Sequence, residues 1–458
     1  MNIKIGHRIR VTGEKLIYGG SCLSKLNDFI IFTPYLIPGE RAEVLVVKKT
    51  SSYAITKILK LEKDSKYRIS PPCPYHFKIR QNEFNVCGGC AWQHIEYNHQ
   101  LFWKKKIFQE IFFSINNTVI NDIQIEGMNE PWDFRHKIQV PVEYKHGDVK
   151  TGFYKPQSHN VVDIDKCLIQ NELGNRIFQT IRGLLNEFYR NKSFGSYSNF
   201  SRHILIRVSS NEREGLVCFI TRGREFPKKE IFIKRITKFF PEVKGISQNI
   251  NSRTTNVILG EKTKQLWGDG FIKDAIGPAV YYVSPESFFQ TNPKQTLVLY
   301  NYVKSILTKG RIVLDLYSGS GGIGLFIADA AKKVIGIEEN IAAVKNAVHS
   351  ARMNRFDHCV FIHGSVEKVL QRLAVELHSE GEPLNAIVNP PRSGCSVSFL
   401  KSLVTFKPAE IIYVSCNPIT LMRDLKILLT HYKIEKAKIF DLFPHMYHME
   451  SVVKLVKR

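Results

Sequence analysis

The sequence predicts a doubly wound α/β sheet in its C-terminal part, preceded by an OB-like β-barrel and a β-rich middle region. Three observations carry this reading. Short strand-like runs with tight turns crowd residues 1–66. Runs such as Ile204 to Val208, Leu216 to Ile220 and Asn256 to Leu259 recur between 127 and 278. From about residue 280 apolar strands alternate with helical segments, the pattern of a parallel sheet with its ligand at the strand C-termini.

Length and composition agree. The chain has 458 residues, 43% of them hydrophobic and 23% charged, which excludes wholesale disorder. No run of 18 uncharged apolar residues exists, so no membrane helix is expected, and Met1 to Arg10 lacks the apolar core of a secretory signal. The expected address is the cytoplasm. Lys and Arg total 65 against 42 Asp and Glu, a net charge of +23, which favours a polyanionic partner such as nucleic acid. Nine cysteines in such a chain point to metal or catalysis rather than to a disulfide framework.

Taken in order, the first 66 residues offer strands at Ile9–Val11, Phe29–Phe32, Ala42–Val46 and Tyr53–Thr56. Gly19-Gly20, Asn27-Asp28 and Pro38-Gly39 supply turns. Twelve Lys/Arg against six Asp/Glu make this segment basic, as in OB-type barrels that bind RNA. A cysteine cluster lies between 67 and 94, and a basic amphipathic helix is expected over Tyr97 to Phe113. Further on, strands are expected at Ile312–Asp315, Lys333–Ile337, Ala386–Val388 and Glu410–Val414. Helices are expected over Gly324–Ala331 and Asn340–Asn354.

Asp315-Leu-Tyr-Ser-Gly319-Ser-Gly321-Gly-Ile-Gly324 follows a strand and opens a helix, so its glycines let a ligand approach the backbone. Glu338 ends the next strand, where a carboxylate can accept from ribose hydroxyls. NAD and S-adenosylmethionine sites share this arrangement. Two features favour S-adenosylmethionine. Asp315 precedes the first glycine by four residues, where its carboxylate can face a cationic ligand. Asn389-Pro390-Pro391-Arg392 forms a rigid turn at a strand end, a common methyltransferase feature.

Cys416 stands just past the strand ending at Val414, before a helix starting after Pro418. A helix N-terminus there would stabilise a thiolate. Such a thiolate suits methylation of uracil C5: addition to C6 makes C5 nucleophilic, and a base must then remove the C5 proton. Glu450, in His445-Met-Tyr-His448-Met-Glu450, is the expected base. A metal site of His445, His448 and Glu450 is the weaker alternative, since methyl transfer needs no metal. Cys87-x-x-Cys90 by itself is compatible with half of a zinc site as well as with other thiolate centres.

These motifs resemble the RNA uracil-5-methyltransferase family of the TrmA/RumA type, over nearly the whole chain. The carriers are Phe288-Phe289-Gln290-Thr291-Asn292, the 315–324 loop with Glu338, Tyr413-Val414-Ser415-Cys416-Asn417-Pro418 followed by Thr420 and Arg423-Asp424, and Phe443-Pro444-His445 with His448-x-Glu450. The resemblance implies cofactor contacts from Gln290, Asp315, Tyr317, Gly319, Gly321, Glu338 and Asn389, with Cys416 as nucleophile and Glu450 as base. It implies that Cys73, Cys87, Cys90 and Cys167 hold a [4Fe–4S] cluster. Cys22, Cys218, Cys359 and Cys395 have no partner spacing and are expected to be structural.

The implied organisation is a TRAM/OB-like RNA-binding barrel over 1–66, a central domain with the cluster cysteines over 67–94 and 127–278, and a Rossmann-like methyltransferase domain over 95–126 and 279–458. The implied substrate is RNA, 23S ribosomal RNA ahead of transfer RNA, with neither a membrane nor an obligate protein partner. The chain departs from the family twice. Thirteen residues separate Cys73 from Cys87, so Tyr75 to Val86 is expected to loop out. Asn389 replaces an aspartate, and an amide cannot act as a base. The rival readings are a non-catalytic RNA-binding relative, a cytosine-5 methyltransferase and a dehydrogenase.

Overall fold

The structure, a computed structural model, describes residues 3–79, 86–116, 123–145, 148–192, 200–211, 213–379 and 383–458. Part of the expected Tyr75 to Val86 loop-out, residues 80–85, lies outside these.

The N-terminal strands are β1 (Arg8–Thr12), β2 (Lys15–Leu16), β3 (Ser21–Leu26), β4 (Phe29–Pro34), β5 (Arg41–Lys49) and β6 (Tyr53–Lys63). They form one sheet in the order β1-β5-β6-β4-β3-β2, a strand-rich unit compatible with a small barrel. Burial alternates along β1 and through the first halves of β5 and β6, so one face of each strand enters the core. Glu40 is fully buried. Its carboxylate accepts from Arg68 Nε (2.5 Å) and Nη2 (2.7 Å) and from the Ile37 amide (2.8 Å), which fixes the chain leaving the sheet.

Helix α1 (Tyr97–Asn116) and strand β7 (Gln124–Glu126) follow. The middle region then builds a second sheet from β8 (Lys137–Lys145), β9 (Asp148–Tyr154), β10 (Val161–Asp163), β11 (Ser201–Val208), β12 (Gly215–Thr221), β13 (Val243–Ile250) and β14 (Lys262–Gly268). Its order is β10-β9-β8-β11-β12-β13-β14, with α2 (Glu172–Arg190) and α3 (Lys229–Phe239) packed on it. The strand expected at Asn256–Leu259 does not form. The segment is irregular: Val257 is 56% exposed, while Ile258 and Leu259 pack part-buried against Leu205, Cys218 and Ile220. Asn251 Nδ2 instead donates to the carbonyls of Val257 (2.8 Å) and Ile258 (2.9 Å).

A hairpin of β15 (Ile272–Ile276) and β16 (Ala279–Val283) leads into α4 (Pro293–Ile306). Position 278 falls in its turn, and both strands pack into the core below the third sheet. That sheet contains β17 (Ile312–Leu316), β18 (Lys333–Glu338), β19 (Cys359–His363), β20 (Leu384–Val388), β21 (Glu410–Ser415), β22 (Tyr432–Phe440) and β23 (Glu450–Lys457). With β7 it runs β19-β18-β17-β20-β21-β23-β22-β7. The first five are parallel, and β23 returns antiparallel to β21. Every residue of β17, β20 and β21 is buried, as a sheet covered on both faces requires. Helices α5 (Gly322–Phe326), α6 (Ile341–Met353), α7 (Val366–Ser379), α8 (Val397–Phe406) and α9 (Pro418–Leu428) provide the cover. The helix expected over Gly324–Ala331 opens two residues earlier and breaks into a 3₁₀ turn at Ala328–Ala330. Among the described residues no helix is long and apolar enough to cross a membrane.

The strand order reverses between β17 and β20, which places a crevice at their C-terminal ends. One apolar core is continuous from Ile9 and Val44 of the N-terminal sheet through Trp92 and Phe108 to Tyr413 and Leu421. Basic α1 is not solvated all round. Lys104 is fully buried with Asp441, its Nζ 2.5 Å from Oδ1 and 3.0 Å from the Phe443 carbonyl oxygen, while Tyr97 donates to the other Asp441 oxygen (2.9 Å). Removing one partner of such a pair leaves an uncompensated buried charge. Lys104→Met should therefore destabilise the protein by about 3–5 kcal/mol in urea unfolding, and adding Asp441→Asn should restore much of the loss.

Candidate active site

The 315–324 loop leaves β17 at the crevice. Tyr317 adopts a left-handed backbone (φ +62°), unusual strain for a bulky residue and typical of loops shaped for a ligand. Gly321 is also left-handed, and a Cβ there would lie 2.9 Å from the Phe361 ring. Two carboxylates hold the loop. Glu338, at the end of β18, accepts from the Gly319 amide (2.9 Å) and from the Asn340 amide (2.8 Å). Asp315 is placed differently from expectation. It is buried beneath the loop and accepts from the Gly324 amide (2.9 Å), rather than lying open to a ligand. Burial pushes its carboxyl up to about 7. Ser320 Oγ donates to the Phe288 carbonyl (3.0 Å), which brings the 288–292 segment, with half-buried Gln290, to the loop. The amide of Asn389 donates to the Leu316 carbonyl (3.2 Å), so Asn389 meets the loop at the strand reversal.

Cys416 follows the last residue of β21, and Asn417 caps α9 through its side-chain oxygen. The α9 residues named by the motif clamp the 390–395 turn. Asn417 Nδ2 (3.0 Å) and Thr420 Oγ1 (3.3 Å) donate to the Arg392 carbonyl, Arg423 donates to the carbonyls of Ser393 and Cys395, and Asp424 accepts from the Cys395 amide and Tyr413 hydroxyl. Gly394 sits at φ +74° under Arg423 and Asp424, where a Cβ would meet both side chains below 3.0 Å. The clamp leaves the exposed Arg392 facing Cys416 and Glu450.

Ser415 of β21 pairs with Ser451 of β23, so Cys416 and Glu450 lie side by side where the strands end. Glu450 is buried, and burial raises its carboxyl to about 8 against the opposing pull of Arg392. Burial and the neighbouring Glu450 charge raise the Cys416 thiol to about 11, again opposed by Arg392. Burial thus opposes the thiolate that the α9 N-terminus would favour, and both shifts favour the uncharged forms of the pair.

The segment between Asp441 and Glu450 is pinned from three sides. The His445 amide donates to Gln100 Oε1 (3.0 Å), its carbonyl accepts from the amides of Ala91 and Trp92, and its ring stacks on Trp132 with 3.9 Å between centroids. His445 Nε2 lies 2.9 Å from the Pro131 carbonyl oxygen. Burial holds His445 down at about 3 and His448 at about 4, so both stay neutral. Among the described residues no three His, Cys, Asp or Glu side chains converge on one metal ion, and the His445/His448/Glu450 alternative finds no support.

Cys73, Cys87, Cys90 and Cys167, all unpaired, line one cavity of about 200 Å³ with His76, Arg135 and Met446. Both His76 ring nitrogens are buried without a hydrogen-bond partner, and Cys87 Sγ accepts from the Gly89 amide (3.3 Å). Burial, reinforced by charge on the other thiols, pushes Cys87 up to about 12 and Cys90 well above its ordinary value. The same causes, partly offset by hydrogen bonds to Cys167 and by Arg135, bring Cys167 to about 11. Cys22, Cys218, Cys359 and Cys395 are buried elsewhere in the cores.

Sequence reasoning missed two residues. Arg392 stood in the Asn-Pro-Pro-Arg motif without a role, although a cation after a rigid turn at the ligand edge was a readable signal. Tyr18, in the turn between β2 and β3, brings its hydroxyl to 3.4 Å from the Cys416 carbonyl oxygen, and nothing local in the sequence announces that contact.

Comparison with known proteins agrees with this geometry. The family described as tRNA (Uracil-5-)-methyltransferase matches residues 261–458. The chain is 39% identical over 453 residues to an uncharacterised RNA methyltransferase of Halalkalibacterium halodurans, covering 98% of this chain and 96% of the relative. A Clostridium acetobutylicum relative with the same description is 36% identical over 447 residues, covering 96% and 94%. Among solved structures, Pyrococcus abyssi tRNA (uracil-54, C5)-methyltransferase in complex with S-adenosyl-L-homocysteine superposes with a TM-score of 0.75 at 25% identity, over 98% of this chain and 100% of that one. An α/β sheet with a glycine loop at its strand reversal, a cysteine at a strand end and whole-length relatives of this kind lead to one conclusion: the chain belongs to the RNA uracil-C5 methyltransferase family, whose methyl donor is S-adenosylmethionine.

Proposed function

We propose that the protein methylates C5 of a uridine in RNA with Cys416 as nucleophile and Glu450 as base. The observation that carries this reading is the pairing of Cys416 and Glu450 at the ends of adjacent antiparallel strands, with Arg392 facing both. The target base is flipped out of its RNA fold into this pocket. S-adenosylmethionine supplies an electrophilic methyl on a sulfonium, and the 315–324 loop, Glu338, Gln290 and Asn389 are the residues that would hold it, with Asp315 bracing the loop from beneath.

The part-exposed Cys416 gives up its proton to solvent and its sulfur bonds to uracil C6, which moves the C5–C6 π electrons into an enolate. C5 then takes the methyl as the sulfonium C–S bond breaks, leaving a neutral thioether. Glu450 removes the C5 proton, the C5–C6 double bond reforms and the Cys416 sulfur departs. The charges alternate. A charged Glu450 opposes the thiolate, and by reciprocity a thiolate opposes the carboxylate. Once the sulfur is bound to C6 its charge has left, so Glu450 is free to ionise and act as base. Arg392 supports whichever anion is present.

For the substrate we favour 23S ribosomal RNA, supported by the resemblance of the basic N-terminal sheet to a TRAM domain and by the four-cysteine set. Transfer RNA is the second reading, favoured by the substrate named for the Pyrococcus abyssi structure. Methyl incorporation from labelled S-adenosylmethionine into unmodified 23S and transfer RNA transcripts separates them. The resemblance and the shared cavity are what support a [4Fe–4S] cluster on the four thiols; among the described residues no three of them group as a metal site. Cys73, Cys87, Cys90 and Cys167 would hold it, and its contribution would be to cross-link the chain around the cavity.

Four outcomes follow. Cys416→Ala abolishes methylation while S-adenosylmethionine still binds, whereas Glu450→Gln slows turnover by about 10²–10⁴-fold and accumulates a covalent protein–RNA adduct with ordinary uridine. Retained turnover in Cys416→Ala, read by methyl incorporation, contradicts the mechanism. Glu450 also makes stability fall with rising pH. Its carboxyl titrates near 8 folded and near the ordinary 4.5 unfolded, so between these the native state binds the extra proton. Thermal melts should show wild type losing stability relative to Glu450→Gln from pH 5 to 8. Anaerobically purified protein should contain iron and acid-labile sulfide, both lost in Cys87→Ser.

A further inference from the structure

The turn between β2 and β3 reaches away from the N-terminal sheet into the catalytic crevice. Its shape is built in. Gly19 and Gly20 take φ values of +110° and +89°, the Gly20 amide donates to the Ile17 carbonyl (3.0 Å) and the Ile17 amide to the Ser21 carbonyl (3.0 Å). Its place is fixed as well. Buried Trp92, two residues past Cys90, donates its Nε1 hydrogen to the Gly20 carbonyl (3.0 Å), and Lys15 pairs with Glu110 of α1 (2.7 Å). A Cβ on Gly20 would lie 2.9 Å from the Tyr447 ring, so the turn is seated directly on the segment that precedes Glu450.

Tyr18 is the residue this turn delivers. Its ring packs edge-on against Tyr447 (centroids 5.6 Å apart) and His448 (6.3 Å), and its hydroxyl donates to the Cys416 carbonyl (3.4 Å). It therefore touches both halves of the proposed machinery, the Cys416 turn and the segment carrying Glu450. Burial, with the Cys416 charge next, raises its hydroxyl to about 12, so Tyr18 stays a neutral donor through the working range.

We propose that Tyr18 is a positioning residue for the reaction, a clasp from the N-terminal sheet that sets the Cys416 turn against the Glu450 segment. The proposal rests on the reading of Cys416 as nucleophile. Most of the effect belongs to the ring, because a 3.4 Å hydroxyl contact is long for an O–H donor. On this view the N-terminal sheet completes the catalytic centre, and its loss would be felt in the chemical step and not only in RNA affinity.

The test uses full-length Tyr18→Ala and Tyr18→Phe with two readouts. One is single-turnover methylation at saturating RNA and S-adenosylmethionine. The other is alkylation of Cys416 by iodoacetamide without RNA, resolved from the other cysteines by peptide mass spectrometry. Tyr18→Ala should slow single turnover by about tenfold or more, as small misplacements of reacting groups do. It should also speed Cys416 alkylation, with RNA and S-adenosylmethionine affinities within about twofold of wild type, a margin under 0.5 kcal/mol. Tyr18→Phe should restore most of the rate. Wild-type single turnover in Tyr18→Ala overturns the proposal, and so does a loss confined to RNA affinity with alkylation unchanged. Should Tyr18→Ala fail to fold, Tyr18→Leu takes its place, and a rate there equal to Tyr18→Phe overturns the claim for the aromatic ring. Cys416→Ala in the same assay separates the two readings. Methylation surviving in that variant removes the nucleophile, whereas wild-type turnover in Tyr18→Ala with Cys416→Ala inactive removes only the clasp.

Discussion

The antiparallel return of β23 beside β21 is the constraint on which the site depends. Ser415 pairs with Ser451, and the Ser451 hydroxyl donates to the Ser415 carbonyl (3.2 Å), so the register is fixed where the two strands end. A slip of one residue would send Glu450 to the opposite face of the sheet. Much of the surrounding structure keeps that register. Lys104 and Asp441 anchor the start of the segment leading to Glu450, Gln100 and Trp132 hold its middle at His445, and the backbone after Cys90 bonds to it directly. The four-thiol cavity, which Met446 also lines, thus lies one residue from His445.

The electrostatics follow from burial. Two acidic groups, buried Glu450 and part-buried Cys416, sit together beside one exposed arginine, so the site tolerates one negative charge better than two. A permanent thiolate would be exposed to oxidation and would hold Glu450 protonated. In the mechanism we propose, a thiol that gives up its proton only when uracil is bound, and then spends its charge in the C6 bond, would leave the carboxylate available at the step that needs it. Asn389 fits this arrangement, because a carboxylate there would bring a further negative charge to the crevice.

Much of the fold was legible because it is local. The apolar runs at Ile312–Asp315 and Glu410–Val414 form fully buried strands, and Asn340 caps its helix as a side-chain acceptor should. Cys416 at a strand end and the glycine loop could be placed for the same reason, since their chain neighbours define them. What escaped depends on contacts far along the chain. Tyr18 and Cys416 are 398 residues apart, and Lys104 is drawn out of solvent by a partner 337 residues away. The protonation states escaped too. A helix N-terminus after Cys416 is visible in the sequence, but the burial and the neighbouring Glu450 that outweigh it are not. Asn256–Leu259 failed in the opposite direction: its β-forming residues are held irregular, with the Val257 and Ile258 carbonyls taken by the Asn251 side chain.

The central claim is covalent addition of Cys416 to the uracil ring. It is tested most directly by incubating the protein with S-adenosylmethionine and RNA carrying 5-fluorouridine, then measuring the mass of the denatured complex. Fluorine at C5 cannot leave as a proton, so elimination is blocked after methyl transfer. The account predicts a stable adduct of protein, RNA and one methyl group, mapped to Cys416 and missing in Cys416→Ala. A protein that binds both substrates yet forms no adduct, or forms one on another residue, contradicts it.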